Sequence, residues 1–356
     1  MVSMRVTVTG SIATDHLVAF PGVFSRRVLA DLPHGLALDA VLRTPAPRPG
    51  GTGANTAYGL ARLGLRPVLL GAVGPDFDGT GLGALGVDTG SVRVCAEPTA
   101  RFLCATDTGG NRVAAFRPGA MRAARHLRLS AVADRLGSPG LVLVAADDPV
   151  AMVRHAEACR LYGHPFAVAP SRQVGCLAGD ELRALVGGAR VLFTSRHEVA
   201  LLLEKTGWSH REVLRRVGTW VTTLGADGVR LEVVGERPVT VAAVEVVAVD
   251  PTGSGDAFRA GYLAALGWGL DAVSAARLGC ALAALAVGSL GAQAYNPDPV
   301  RLTALLADAY GVEACVPFGP HLGVPTVPLT VPRAAASTVP PMGARRSGAA
   351  GVPIAS

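Results

Sequence analysis

Asp256 follows Gly253-Ser254-Gly255 directly and precedes an apolar run that opens at Ala257. A positioned carboxylate can take a proton from an attacking hydroxyl. Gly253 and Gly255 let the backbone turn tightly and approach a ligand, and a helix starting near Ala257 points its unpaired N–H groups at the same place. Those donors and the helix dipole favour an anion. A transferring phosphoryl group is the anion beside which a base is of use. Gly253, Ser254, Gly255 and Asp256 therefore form a candidate catalytic set, although the same letters also suit a plain turn with an N-cap.

A second constellation, Gly50-Gly51-Thr52-Gly53-Ala54-Asn55, opens the first long helical pattern. Glycines before a helix occur in dinucleotide folds, but that fingerprint needs a third glycine where Thr56 stands and a position just after the first strand. Gly50 and Gly51 instead let a substrate lie against backbone, and Asn55 can both donate to and accept from a hydroxyl.

The elements needed to position these groups follow from periodicity. Val6 to Val8 reads as a strand ending at Gly10, Ala54 to Leu63 as a helix, and Val68 to Val73 as a strand. From Leu141 the rhythm is regular: strand 141–145, helix 149–161, strands 166–168 and 191–194, helix 198–205, strand 220–224. Strands alternating with helices predict a doubly wound, mostly parallel α/β sheet, whose ligands sit at the carboxyl ends of strands. Gly10, Asp15, Thr194, Gly225 and Asp250 all follow predicted strands. Two excursions, about 16–49 and 98–117, are predicted to join into a small β lid, the second as a hairpin around Gly109-Gly110. Residues 1–316 are read as one domain. Residues 317–356, rich in Pro, Val, Ala and Gly without periodicity, are read as a disordered tail.

Composition excludes several chemistries. Lys205 is the only lysine and sits in an ordinary helical run, which removes a P-loop and a Schiff base. Any cation for a phosphate must be arginine or metal. The net charge is +6, but the arginines are scattered, so no nucleic-acid footprint is expected. Cys95, Cys104, Cys159, Cys176, Cys280 and Cys315 show no Cys-x-x-Cys spacing. The first residues are strand-like rather than a signal peptide, and no apolar run reaches membrane length, so a cytoplasmic protein with no membrane partner is expected.

On these two motifs the chain resembles the PfkB or ribokinase-like family of sugar and nucleoside kinases, over roughly residues 5–310. Gly50 to Asn55 looks like the family's N-terminal Gly-Gly signature, and Asp250-Pro-Thr-Gly-Ser-Gly-Asp256 like its C-terminal one. The chain is further similar to adenosine kinases of actinobacterial type through Thr9 to His16, Thr99 to Phe102, Phe116 to Met121, Lys205 to Trp208 and Gly255 to Gly261. The resemblance implies a ribokinase-like fold and an ATP-dependent enzyme that phosphorylates the 5′-hydroxyl of a ribonucleoside, adenosine first among them. It implies that Asp15 and Asn55, with Ser11, Gly50 and Gly51, hold ribose hydroxyls. Phe102 and Phe116 would line the base pocket, and Gln173 belongs to the same pocket. Ser195, Thr223, Gly225, Gly228 and Thr252 are implied at the ATP site. Glu198 matches an acidic position that organises Mg2+ through water. A monovalent cation and a homodimer through the lid are left open.

Departures from the pattern are specific. Ser195 stands where the family usually has an amide. In Ala169-Pro170-Ser171-Arg172-Gln173 a carboxylate is lost at Ala169, and a base-site amide is replaced by the Arg172 cation. Asp39 stands where these adenosine kinases favour a small hydroxyl residue. A sugar kinase for ribose or a related furanose, and a non-catalytic nucleoside or sugar sensor, remain as alternatives.

Overall fold

Alternate residues of the central strands go to opposite cores. Leu69, Leu141, Leu143 and Phe193 join one core, whereas Leu70, Val142, Val144 and Leu192 join another. Successive strand side chains point to opposite faces, so strands apolar at every position must be covered on both sides. Helices Thr52–Arg62, Ser254–Gly267 and Ala272–Val287 close the first core; Pro149–Leu161, Gly179–Val186 and Arg196–Thr206 close the second. The expected doubly wound α/β architecture follows.

The computed structural model describes residues 4–20, 22–24 and 46–323. Its strands are β1 (Val6–Thr9), β2 (Ala13–Ala19), β3 (Arg48–Gly50), β4 (Val68–Val73), β5 (Asp88–Val94), β6 (Ala100–Thr106), β7 (Arg112–Arg117), β8 (Leu141–Ala145), β9 (Phe166–Ala169), β10 (Val191–Ser195), β11 (Thr219–Thr223), β12 (Val229–Glu232) and β13 (Val239–Val241). The large sheet runs β13-β12-β11-β10-β9-β8-β1-β4-β5. It is parallel from β11 to β5, and β12 is antiparallel to both its neighbours. The chain moves from β1 outward to β4 and β5, then returns to the other side of β1 at β8. That reversal opens a crevice beyond the carboxyl ends of β1 and β8.

The two excursions join as one small sheet, β3-β2-β6-β7. β2 runs parallel to β6, while β3 and β7 are antiparallel to their neighbours. The middle of the first excursion, with Asp39, lies outside the described residues.

Three expectations need correction. The ordered body does not stop at residue 316: Val312–Phe318 and Gly319–Leu322 form short helical turns, Phe318 is buried in the first core and the His321 ring stacks on Trp268 at 4.7 Å. Two apolar side chains and one aromatic contact give that stretch enough to bury, so any tail begins after Gly323, outside the described residues. Asp250 does not follow a strand, because β13 ends at Val241 and residues 242–249 have no regular structure. Asp15 lies inside β2 rather than after a strand. Among the described residues no helix is long and apolar enough to cross a membrane, and all six cysteines are free.

Candidate active site

One cavity of about 690 Å3 occupies the crevice between the large and small sheets. Its chemistry is concentrated where the helix Ser254–Gly267 begins. The helix starts three residues earlier than periodicity suggests, with Gly253 as its N-cap at φ 79°. A Cβ there would overlap the Ala292 methyl, so both the left-handed backbone and the close approach require glycine. Asp256 is thus the third residue of the helix rather than the residue before it. The first intrahelical bond is donated by Ala257 N–H to the Gly253 carbonyl at 2.9 Å. The amides of Gly255 and Asp256 precede it at the positive end of the dipole.

The Asp256 carboxylate is held on both sides. Asn55 Nδ2 donates to Oδ2 at 2.7 Å, and the Arg259 guanidinium donates to Oδ1. Burial raises the Asp256 pKa above the usual carboxylate range, opposed by the charge of Arg259 and the bond from Asn55. The carboxylate is thus more basic than one in water, with the cation and the amide favouring its charged form. Gln293 Nε2 in turn donates to Asn55 Oδ1 at 2.9 Å, fixing which end of the amide faces Asp256.

The loop before the helix is equally ordered. Asp250 Oδ1 accepts from Thr252 N–H at 3.0 Å and from its hydroxyl at 2.7 Å, and Oδ2 accepts from Gly291 N–H at 3.0 Å. From β7 of the small sheet, Arg112 Nη2 donates to Thr252 Oγ1 at 2.7 Å and lies 3.8 Å from Asp250. Arg112 therefore brings a cation from the small sheet to the loop that precedes the Gly253 helix start.

At the other end, strand register builds a row. Asp15 on β2 pairs with Phe102 on β6, which pairs with Phe116 on β7, and all three line the cavity. Directly paired residues share a face of the sheet. The row reads carboxylate, phenyl, phenyl. Burial, then repulsion from Asp256 and Asp250, pushes the Asp15 pKa up to about 7, against the opposing charges of Arg112 and Arg172. Gly50 packs directly beneath this carboxylate, where any Cβ would collide with it. Gly51, at φ 93°, caps the helix Thr52–Arg62 against the Ser11–Ala13 backbone that follows β1, where Ser11 Oγ accepts from Thr52 N–H at 3.1 Å.

The remaining expected residues divide. Ser195, Glu198 and Thr223 line the cavity with Thr252, whereas Gly225, Gly228, Gly50 and Ser254 do not. Gly228 is packed against the backbone of Val241–Ala243, so it serves the β-turn. Ser195 acts as an N-cap: its Oγ accepts from Glu198 N–H at 3.3 Å, and Glu198 Oε2 accepts from Ser195 N–H at 2.8 Å. Glu198 keeps its second carboxylate oxygen. Gln173 lines the cavity while its amide donates to the Asp147 carbonyl at 2.6 Å. Lys205 lies on the far side of that turn, donating to the carbonyls of Val174 and Gly175 at 3.1 and 2.8 Å.

Four neighbours carried no sequence signal of their own that drew attention: Arg112, Arg122, Arg259 and Gln293. Arg259 is legible in hindsight, because it stands three residues after Asp256 on a helix and must share its face. Gln293 and Arg112 reach the site from remote loops and strands.

Comparison with known proteins places this architecture. Residues 41–299 match the pfkB family carbohydrate kinases. The chain is 31% identical over 271 residues to a nucleoside kinase of Methanothermobacter thermautotrophicus, covering 74% of this chain and 86% of the relative. It is 29% identical over 271 residues to the ribokinase of Bacillus subtilis, covering 73% and 88%. Among solved structures, that of Burkholderia thailandensis nucleoside kinase in complex with ADP-inosine superposes with a TM-score of 0.76 at 31% identity, covering 86% of this chain and 96% of that one.

Proposed function

This chain belongs to the PfkB family of carbohydrate kinases and is a kinase of the nucleoside kinase and ribokinase type, and from that premise we propose that it transfers the γ-phosphoryl group of ATP to the 5′-hydroxyl of a ribonucleoside, adenosine being the reference acceptor. The carrying observation is the row Asp15, Phe102, Phe116 on one face of the small sheet, leading towards Asp256. A carboxylate suits a vicinal diol, and two phenyl faces suit a flat base. A free furanose has no use for the second half of that row.

Asp256 takes the 5′-hydroxyl proton as the 5′-oxygen bonds to the γ-phosphorus. The bond from that phosphorus to the bridging oxygen breaks, and ADP leaves with the electron pair. The amides of Gly255 and Asp256, with the Arg112 and Arg259 cations, offset the charge on the group in flight. Asn55, fixed by Gln293, holds Asp256 in place. Ser11, Asp15, Asn55, Gly51 and Gln173 surround the nucleoside, while Ser195, Thr223 and Thr252 edge the nucleotide side. The Arg112 contact to Thr252 supports a small sheet that closes over the phosphates and excludes water.

Magnesium fits this donor set as the partner of the ATP phosphates. Among the described residues no group of three or more ligating side chains exists, but Mg2+ keeps several waters and needs few carboxylates. Glu198, with one oxygen uncommitted, would hold such a water. The ion would neutralise phosphate charge.

The test is ADP release from ATP and Mg2+ by the purified protein with adenosine, inosine, guanosine, cytidine, ribose and fructose. Turnover with ribonucleosides supports the proposal. Turnover confined to free sugars would replace it with the ribokinase reading, and silence on all six would favour the sensor.

A further inference from the structure

Arg172 and Arg122 are the two cavity-lining arginines without an ion-pair partner among the described residues, and Arg172 is the one that lies over an aromatic ring. Its guanidinium lies 4.9 Å from the centroid of the Phe102 ring and lines the cavity. Among the described residues it has no ion-pair partner, whereas Arg112, Arg125 and Arg259, which line the same cavity, each face an aspartate. Its backbone is not free to wander. Ser171, just before it, takes φ 49°, a left-handed conformation that a non-glycine residue adopts only when its surroundings enforce it. Gln173, just after it, is tied to Asp147, and Lys205 pins the carbonyls of Val174 and Gly175. The lone lysine of the chain thus serves to hold this turn.

We propose that Arg172 selects the base, favouring 6-oxopurine ribonucleosides over 6-aminopurine ones. The inference rests on the nucleoside-kinase reading above. A purine entering along the row from Asp15 takes the Phe102 face now covered by the guanidinium, which then moves to the edge of the base because its turn stays fixed. Hypoxanthine and guanine present two acceptors on one edge, O6 and N7, and a guanidinium fork meets them with two donors. Adenine presents N7 beside an amino donor. A second guanidinium N–H then faces N–H, and one hydrogen bond is lost along with the solvation it replaced. Adenosine remains an acceptor, at lower efficiency.

Steady-state kcat/KM for inosine, guanosine, adenosine and 7-deazainosine tests this in the wild-type chain and in Arg172→Gln and Arg172→Met. The expected wild-type preference for inosine over adenosine is about tenfold or more, the usual worth of one bidentate contact. Removing N7 as 7-deazainosine should forfeit about the same factor in the wild type and almost nothing in Arg172→Met, which keeps packing against Phe102 without donors. Both variants should bring the inosine-to-adenosine ratio towards unity. The wild-type comparison needs no mutant, so a poorly folding variant does not rescue or condemn the idea. A wild-type preference for adenosine, or a ratio that neither variant moves, overturns the role of Arg172 and leaves the nucleoside kinase standing. Activity on ribose with none on any purine nucleoside overturns both.

Discussion

The two ends of the cavity are built by different means. At the Asp256 end most groups come from a contiguous stretch, Asp250 to Arg259, with its backbone turns and helix start, joined by Asn55, Arg112 and Gln293 from elsewhere. At the base end the contributors are Asp15, Phe102, Phe116 and Arg172, drawn from three strands and a loop remote in sequence. Backbone amides recognise a phosphate whatever side chains surround them, whereas the other end of this cavity presents a carboxylate, two phenyl rings and a guanidinium. The first end is therefore hard to alter without loss of reaction. The second can change specificity while leaving the reaction intact; the departure at Arg172 falls there, whereas that at Ser195 lies on the nucleotide side and Ala169 does not line the cavity.

The most severe test of that contrast is Asp256→Asn. It should lower turnover by about 10²–10⁴-fold while nucleoside affinity, measured by calorimetry, stays near the wild-type value. Near-normal turnover would remove Asp256 as the base and with it the distinction between the ends.

Gly253→Ala should come next. Its left-handed φ and the crowding Ala292 methyl predict a loss of about 1–3 kcal/mol of stability, seen as a lower thermal midpoint, and a fall in kcat as the helix start shifts. An unchanged midpoint would mean that the loop is less tightly built than its geometry implies.

At the base end, Phe116→Ala should raise KM for nucleosides about tenfold, in line with the worth of one aromatic face to a base, and leave kcat nearly unchanged. A fall in kcat with KM constant would show that Phe116 serves closure rather than recognition.

An effect of similar size is expected from pH on nucleoside binding. In the proposed reaction Asp15 would accept the diol as a carboxylate, and its pKa is pushed up to about 7. KM should therefore rise as pH falls through 7, by roughly tenfold between pH 8 and 6 for a single titrating group, and Asp15→Asn should flatten the profile. Stability runs the other way. Between the ordinary carboxylate pKa and about 7 the folded chain holds a proton that the unfolded chain has lost, so folding stability falls as pH rises across that window. Thermal midpoints measured from pH 4 to 8 should show that fall in the wild type and less of it in Asp15→Asn.

The same contrast explains what could be read from the sequence. The Gly253 to Asp256 turn and the strands from Leu141 onward were legible because their signal is local: consecutive residues, or apolar runs of one period. Helix starts were missed by two or three residues at Thr52 and Ser254, since glycine caps carry no polar side chain to mark them. The body's end was placed too early because Phe318 and Leu322 pack onto distant helices within a Pro- and Gly-rich stretch. Resemblance could name Phe102 and Phe116, but not that strand register sets them in a row with Asp15. Arg112 and Gln293 were invisible, because only the folded chain brings β7 to Thr252 and residue 293 to Asn55.

On the proposed function, Asp256 and the helix start at Gly253 direct phosphoryl transfer to the 5′-oxygen of a nucleoside. 31P NMR of the reaction of ATP, Mg2+ and inosine tests it most directly. A nucleoside 5′-monophosphate resonance coupled to the two 5′-protons should form with the wild type and be lost in Asp256→Asn. A phosphate on another oxygen, or the same product at an undiminished rate from the variant, would contradict it.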